Sequence, residues 1–291
     1  MQDSKQRFVF DQADVRGCYA RLDATCQQIQ ATHHYPAVLA TWLNEFAVAA
    51  VLLQDSIKLP ASLTIQLRCQ GLIDLMMADC SAEGQVRAVC EYDQTHVFSA
   101  PLTLNSLPGA VLAVTITPHE GERYQSVIPV EYASLSACLE DYFARSEQLP
   151  SQFRLLADAR TAVGISLHAL PAQQISDAEQ AHAYFEHLTV LLQSYQLEEA
   201  LVETAEQALT KLYHDEQCRL FAAKAIEFGC ECSLHKSRQA LMALGRDEVE
   251  HLIEQQQADG ERDIVIDCHF CFQRYRFSFT ESRALFTETL Q

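Results

Sequence analysis

The sequence predicts an α+β protein with an N-terminal core of mainly antiparallel sheets and helices, a helical linker and a small C-terminal metal-binding domain. Three observations indicate this organisation. Apolar residues alternate in several consecutive runs, without the strand–helix alternation that is typical of parallel sheets. An acid-rich stretch with helical spacing follows these runs, and the last quarter of the chain carries two close pairs of cysteines. At 291 residues, the chain has the length of roughly two domains.

The most apolar stretch, residues 36–57, predicts a buried core helix. It is apolar almost all round, contains no glycine, begins at Pro36 and ends before Pro60. Its longest uninterrupted apolar run, Phe46 to Leu53, is far shorter than the roughly 20 residues that span a bilayer. We therefore expect no membrane segment, and the polar N-terminus does not predict a secretory signal.

Alternating apolar residues bounded by turn residues predict a series of strands after this helix. The predicted strands cover residues 63–67, 72–78, 85–92, 111–117 and 124–130. A helix over 134–148 and two further strands over 152–158 and 162–170 then complete the first predicted domain, a core over residues 1–175.

Residues 176–228 predict an acidic helical linker. Residues 177–231 hold 11 acidic and 3 basic side chains, a local net charge of −8. Two narrow apolar stripes run at helical spacing, and their members are Tyr184, Leu188, Leu191 and Tyr195, then Leu201, Ala205, Leu209 and Leu212. Isolated helices of this length are marginal in water, so these helices depend on the surface against which they pack.

Residues 229–291 predict a small C-terminal domain. Helical patterns cover 237–244 and 247–257, and two alternating segments, 261–267 and 272–280, predict a hairpin. A domain of this size with so few apolar residues needs an additional staple, such as a bound metal.

Two closely spaced thiol pairs supply that staple. Cys230 and Cys232 are separated by one residue, and Cys268 and Cys271 follow 35 residues later with two residues between them. Four soft ligands of this kind predict one tetrahedral metal ion, best matched by Zn²⁺. A one-residue gap is unusual in a structural zinc site, and such a pair can also close on itself as a strained, easily reduced disulfide. The residues alone leave open whether the site is structural or a redox switch.

The sequence lacks the common catalytic and nucleotide-binding motifs. The nine glycines are too far apart for a dinucleotide fingerprint or a P-loop, and neither a nucleophile elbow nor an H-E-x-x-H zinc motif is present. Four thiolates leave no open position on the metal, so we do not expect an enzyme. The net charge of −18 repels phosphate backbones and argues against nucleic-acid binding.

The remaining cysteines and the histidines predict no further site. We expect His269 to be an exposed residue within the second thiol pair, and His33, His34, His182 and His187 to lie on the surface. Most other cysteines occupy apolar positions typical of buried free thiols, and these are Cys18, Cys26, Cys69, Cys80, Cys90, Cys138 and Cys218. So many thiols without a signal sequence predict a reducing, cytoplasmic location, although oxidation of such a chain allows further disulfides.

The chain resembles the heat shock protein 33 family along nearly its whole length. The C-x-C and C-x-x-C pairs match the family's signature. Val15-Arg16-Gly17 is similar to its N-terminal turn. Further similar segments are Ile116-Thr117-Pro118, Glu120-Gly121-Glu122-Arg123-Tyr124-Gln125, Leu139-Glu140-Asp141-Tyr142-Phe143, Arg145-Ser146-Glu147-Gln148-Leu149-Pro150 and Leu170-Pro171-Ala172-Gln173.

This resemblance implies a redox-regulated holdase chaperone. Reduced family members hold one Zn²⁺ with all four cysteines and are inactive monomers. Oxidation releases the zinc and forms two disulfides, by position Cys230–Cys232 and Cys268–Cys271. The linker then unfolds, the protein dimerises, and unfolding client proteins are held without ATP until an ATP-driven chaperone system refolds them.

One segment departs from the family pattern, and two other functions stay open. The 35-residue gap between the cysteine pairs is slightly longer than expected, and we assign the excess to a surface loop over 255–260. One alternative function is a structural zinc-ribbon interaction module without redox switching. The other is a thiol oxidoreductase that uses Cys268 and Cys271, although the strand-then-helix setting of such motifs is missing.

Overall fold

The computed structural model describes residues 1–98, 102–171, 175 and 177–286. The chain divides into two compact units, Met1–Gly229 and Cys230–Gln291. Both contain helices and mainly antiparallel sheets, which confirms the predicted α+β class. The division of the first unit into a core and a linker stays a prediction.

The elements of the first unit are numbered along the chain. Its helices are α1 (Ala24–Thr32), α2 (Ala37–Ser56), α3 (Leu135–Tyr142), α4 (Ala178–Gln193), α5 (Leu197–Ala200) and α6 (Ala205–Leu212). Its strands are β1 (Ser4–Phe10), β2 (Val15–Leu22), β3 (Ala61–Arg68), β4 (Ile73–Cys80), β5 (Gln85–Tyr92), β6 (Val111–Pro118), β7 (Tyr124–Pro129), β8 (Ser151–Ala157), β9 (Ala162–Ala169), β10 (Cys218–Leu220), β11 (Lys224–Ala225) and β12 (Glu227–Phe228).

Helix α2 is the centre of the first unit and confirms the predicted core helix. Pro36 precedes its first turn, and 14 of its 20 residues are buried. By length and composition this helix is able to cross a membrane, but 72% of its apolar window is buried inside the structure. It packs against both sheets of the unit, so its apolar surface is used within the core.

The first sheet has the order β10-β1-β2-β9-β8, with β11 also paired to β1. Strands β8 and β9 were predicted, whereas β1, β2 and the short strands β10 and β11 were not. The interpretation of Val15-Arg16-Gly17 as a turn is wrong, because these residues begin β2 and pair with β9. Gly17 is required there by space, since a Cβ at this position would lie 2.1 Å from the ring of Phe8.

The second sheet has the order β12-β5-β4-β3-β6-β7 and contains all five strands predicted for the middle of the core. Its internal pairs are antiparallel, and only the short β12 joins β5 in parallel. The predicted helix over 134–148 is α-helical to Tyr142 and continues as one π-helical turn over Phe143–Glu147. Gln148 then ends it in the left-handed region.

Helices α4 to α6 cover the face of the first sheet that points away from α2. Leu188 and Tyr195 of the predicted stripe are fully buried there against Phe8, Phe10 and Ile165. The stripe is confirmed in part: other members are half-buried, and Phe185 and Leu192 are buried in their place. The second stripe is buried at Ala205, Leu209 and Leu212.

Two core arginines hold the ends of these helices. Arg154 of β8 donates from Nε and Nη2 to the carbonyl oxygen of Tyr195, at 2.8 and 2.6 Å. Arg21 of β2 donates to the carbonyl oxygens of Ala200 and Leu201, at 2.5 and 2.8 Å. Cations near helix C-termini satisfy the free carbonyl groups and oppose the helix dipole, so these two side chains fix the acidic helices to the sheet.

The second unit has a very small core. It contains the predicted helices α7 (Leu234–Leu244) and α8 (Arg246–Ala258) and the predicted hairpin of β13 (Asp263–Asp267) and β14 (Arg274–Ser278). A third helix, α9 (Phe279–Ala284), was not predicted and replaces the end of the second predicted hairpin strand. Its buried apolar residues are Leu241, Val249, Ile253, Ile264 and Phe277. The predicted loop over 255–260 is wrong for residues 255–258, which form the last turn of α8. Glutamine and alanine favour helix, so the additional residues lengthen the helix.

Candidate metal centre

The turn of the β13–β14 hairpin places Cys268 and Cys271. The amide of Phe272 donates to the carbonyl oxygen of Cys268 at 2.8 Å, and the amide of Cys268 donates to that of Gln273 at 3.0 Å. Phe272 has a φ of 55°, which lets the chain reverse immediately after the second thiol. Below the turn, Asp267 accepts two 2.7 Å hydrogen bonds from Arg274, which hold the two strands together next to the site.

The other pair, Cys230 and Cys232, leads into helix α7. The Ser233 hydroxyl accepts a hydrogen bond from the amide of Lys236 at 3.2 Å and caps this helix. Cys232 therefore lies next to the N-terminus of α7. An ion pair between Glu231 and Lys236, at 3.0 Å, also fixes the short segment between the two cysteines to the first turn of α7.

The four predicted cysteines come together in the fold. The Sγ atoms of Cys230 and Cys268 are 3.6 Å apart, those of Cys232 and Cys271 are 3.4 Å apart, and all four lie within 4.8 Å of one another. No disulfide links them. Tetrahedral zinc–sulfur bonds of about 2.3 Å place sulfurs about 3.8 Å apart. The cluster thus has the size, the donor type and the number of ligands that fit one soft divalent cation.

The close approach of the four sulfurs affects the protonation of Cys268 and Cys271. Burial, and then hydrogen bonds with neighbouring thiols, raise the pKa of Cys271 above its ordinary value, and burial also raises the pKa of Cys268. Four thiolates in such a small volume repel one another, whereas a divalent cation reverses this balance and favours the deprotonated form.

Tyr275 of β14 is a contact of the site that the sequence did not indicate. Its hydroxyl donates to Sγ of Cys232 at 3.1 Å, and this hydrogen bond raises the pKa of Tyr275 to about 12. The hydroxyl therefore keeps its proton and remains a donor to sulfur. Donors that hydrogen-bond to a metal-ligating atom orient that ligand and tune its reactivity. Only the alternation of β14, which turns Phe277 into the small core and Tyr275 to the same side, was available as a signal.

The structure separates the remaining cysteines from this cluster. Five are buried and two, Cys69 and Cys218, are half-buried, in agreement with the expectation of core thiols. Burial raises the pKa of Cys80 and Cys90 to about 12 and that of Cys218 to about 11. Oxidants attack thiolates, so these buried sulfurs are poor targets compared with exposed ones.

The structure also shows where the predicted surface histidines and the Cys268–Cys271 motif lie. His34, His182, His187 and His269 are exposed, and His33 is half-buried. The Cys268–Cys271 motif lies in a hairpin turn, whereas a thiol oxidoreductase places such a motif at the start of a helix that follows a strand. The structural setting thus argues against the oxidoreductase alternative.

The fold and the site together define a two-unit α+β protein whose small second unit is organised around four thiols. A family model described as Hsp33 protein matches residues 3–278. The 33 kDa chaperonin of Pseudomonas paraeruginosa is 39% identical over 284 residues, which are 98% of this chain and 94% of the relative. That of Azotobacter vinelandii is 40% identical over 286 residues, with the same coverage. This chain belongs to the Hsp33 family of chaperones.

A solved structure shares the fold. The 33 kDa chaperonin (heat shock protein 33 homolog) of Thermotoga maritima superimposes with a TM-score of 0.81, covers 99% of both chains and is 18% identical in sequence. The resemblance found in the sequence is thereby confirmed for the family and the fold. The relatives are named chaperonins and not enzymes, which fits a protein that binds other proteins.

Proposed function

We propose that this chain is an ATP-independent holdase chaperone of the cytoplasm that oxidation activates. The observation that carries the proposal is the pairing of two features in one chain. A compact cluster of four thiols staples a unit with a very small core. Acidic helices with few buried residues cover an apolar sheet face just upstream. The first is a sensor with suitable chemistry, and the second is a cover that can be removed.

In the reduced state, one Zn²⁺ held by Cys230, Cys232, Cys268 and Cys271 would keep all four sulfurs as thiolates and stabilise the C-terminal domain, residues 229–291. Tyr275 orients Cys232 through its 3.1 Å hydrogen bond. The hairpin turn fixes the spacing of the second pair. With the unit folded, the linker over 176–228 stays docked and the protein is inactive.

Oxidation converts the ligands into disulfides. Two thiolates of a pair pass two electrons to one hydrogen peroxide molecule, which leaves one disulfide and two hydroxide ions. Two equivalents therefore form Cys230–Cys232 and Cys268–Cys271, and these cysteines then release the metal. A unit that depends on its metal unfolds when the ligands are lost, and the linker loses its support.

Release of the linker bares the apolar face formed by Phe8, Phe10, Tyr19, Ile165 and Leu167, all buried beneath it in the reduced fold. Exposed patches of contiguous apolar side chains bind other apolar segments, and here these are segments of unfolding client proteins. The oxidised chain also forms a homodimer. Reduction restores the covered state and passes the client to an ATP-driven chaperone system.

The test is an oxidant titration of the reduced, zinc-loaded chain, with zinc release and suppression of client aggregation followed together. We expect both to rise in parallel, with one zinc released per chain. The variant with serine at all four site cysteines should show no response to oxidant, whereas a control with serine at Cys69 and Cys218 should respond like the parent chain. Zinc release without any gain in holdase activity would refute the switch and leave a structural zinc module.

A further inference from the structure

The outer edge of strand β1 is paired with the chain's own linker. Strand β10 lies antiparallel to β1 with Phe8 opposite Leu220 and Phe10 opposite Cys218, and β11 pairs with the beginning of β1. The amide of Asp11 donates to Gln217 O at 2.9 Å, that of Phe221 to Arg7 O at 2.9 Å and that of Ile226 to Asp3 O at 3.1 Å. The segment 217–226 thus satisfies this edge along its whole length.

The side chains of this segment contribute only partly buried contacts and one exposed ion pair, between Arg219 and Asp11 at 2.9 Å. None of the residues 217–225 is buried, and Phe221 is 44% exposed. The buried residues that flank the segment are Tyr213, which ends α6, and Ile226. The segment is therefore held by its backbone, by these partial contacts and by Ile226, which packs in the core cluster around α2. We expect residues 217–221 to separate from β1 once the linker helices leave the sheet.

We propose that the freed edge of β1 binds an extended segment of an unfolding client as an added antiparallel strand. This inference rests on the proposed function, because it requires an activated state in which the linker is released. An open strand edge is a template for pairing with another chain, and main-chain hydrogen bonds supply affinity that does not depend on the client's sequence.

The displaced strand shows which segments fit. Leu220 and Cys218 pack against the same apolar cluster as their partners Phe8 and Phe10, whereas Arg219 between them is exposed. A client segment with apolar residues at alternate positions reproduces this arrangement, with its apolar side chains on the bared face and its backbone on the edge. Unfolding proteins expose many such segments, since alternation is the pattern of half-buried strands.

Antiparallel geometry makes the proposal testable at single amides. Arg7 and Asp11 direct backbone groups towards the linker segment, so Val9 between them does as well, while Gln6 and Phe8 direct theirs towards β2. We would measure amide hydrogen exchange in the full oxidised chain, alone and with reduced, carboxymethylated α-lactalbumin as a permanently unfolded client. Oxidation should expose Val9 and Asp11, and the bound client should slow their exchange by about tenfold or more. The amides of Gln6 and Phe8 serve as internal controls and should stay protected throughout.

A pair of peptides separates edge pairing from apolar contact. The parent peptide carries residues 216–222 with Cys218→Ala. One version is N-methylated at Phe221, whose amide bonds to β1, and the other at Leu220, whose amide points away. We expect the parent and the Leu220-methylated peptide to displace the client, and the Phe221-methylated one to be at least about tenfold weaker. The proposal is contradicted if the parent peptide does not displace the client, or if the two methylated peptides are equally potent.

The outcomes distinguish this proposal from the function on which it rests. Client that binds while Val9 and Asp11 exchange freely refutes edge pairing and leaves the holdase function intact. If the amides of Val9 and Asp11 stay protected after oxidation in the absence of client, strand β10 has not separated from β1. This outcome also overturns the proposal. Protection that appears without client and disappears on dilution assigns the edge to a second copy of the chain. An oxidised chain that binds no client refutes the function itself.

Discussion

Helices α2 and α4 cover opposite faces of one sheet, and they do so in different ways. Of the 20 residues of α2, 14 are buried, whereas only 3 of the 16 residues of α4 are. Helix α2 is enclosed between two sheets, while α4 packs through one narrow stripe and exposes an acidic surface. We therefore expect the α2 face to stay packed as a permanent core, and the α4 face to carry a removable cover with a lower free energy of opening.

The largest effect is expected from matched leucine-to-alanine substitutions on the two faces of the first sheet. Leu52→Ala in α2 should lower the free energy of global unfolding by about 2–5 kcal/mol, because a fully packed leucine leaves a cavity. Leu188→Ala in α4 removes the same atoms at a site that is equally buried. It should chiefly speed amide exchange in α4–α6 and lower the oxidant dose for activation, with a much smaller change in global stability. Denaturant unfolding and residue-resolved exchange measure the two effects, and an equal loss of global stability would contradict the comparison.

A pH dependence is expected on the permanent face. His168 of β9 is 3% exposed, and Phe143 and Phe153 pack around its ring. Ser151 donates to Leu149 O, so its oxygen accepts from Nδ1 of His168 at 2.8 Å. Burial, with a smaller effect of Arg16, lowers the His168 pKa to about 4. Because the pKa of His168 is lower in the folded chain than in the unfolded chain, its contribution to the free energy of unfolding is fully present above the unfolded-state pKa. This contribution is lost as the pH falls below that value.

Global stability should therefore decrease by about 3 kcal/mol between pH 6.5 and pH 4 on account of this residue. Denaturant unfolding across this range gives the slope. The His168→Gln variant should lack this component, whereas His182→Gln, at an exposed position, should retain it. A slope that is unchanged in His168→Gln would assign the pH dependence to other groups.

Removal of an anchor should affect only the removable cover. Arg154→Gln eliminates the paired hydrogen bonds to Tyr195 O and should weaken linker docking by about 1.5–3 kcal/mol, since bonds to charged groups are stronger than neutral ones. The expected readout is faster exchange at the end of α4 and activation at lower oxidant concentration. Arg160→Gln, in the exposed turn between β8 and β9, is the control and should behave like the parent.

The smallest effect is expected in the second unit, at the cluster of four cysteines. Tyr275→Phe keeps the ring and removes the hydrogen bond to Cys232, so zinc release on oxidation should become about two- to fivefold faster. Circular dichroism and zinc content before oxidation check that the reduced fold is retained. Tyr124→Phe, an exposed tyrosine of β7, is the matched control. A variant with the parent's rate would show that this bond does not tune the thiol.

A continuous apolar composition predicted α2. Alternation predicted strands β3 to β9 and the hairpin, because each of these strands has one clearly apolar face. It did not predict β1, where the charged residues Lys5, which is buried, and Arg7, which is exposed, pair with side chains of α2. Lys5 donates to Gln54 at 2.7 Å, and both Lys5 and Arg7 pair with Asp55. Such long-range pairs cannot be read from a local pattern. The strands β10 to β12, of two or three residues, are too short to have a period at all.

The residues of the candidate site were also predicted only in part from the sequence. Spacing along the chain predicted the four cysteines, because the paired residues are neighbours in sequence. It did not predict Tyr275, nor the arginines that hold the linker, because each acts on a partner far away in the chain. Arg21 and Ala200 are separated by 179 positions. Only a folded structure brings these groups together, and single-sequence reasoning carries no signal for them.

The pairing of β1 with β10 has a consequence for synthesis. Strand β1 leaves the ribosome about two hundred residues before its partner β10. Domains fold during translation, so the sheet forms with an unpaired edge and waits for the linker. We therefore expect newly made chains to pass through a state with an open edge at β1, since contacts so distant in sequence form slowly. Nascent chains are predicted to associate with one another during this interval unless the linker follows quickly.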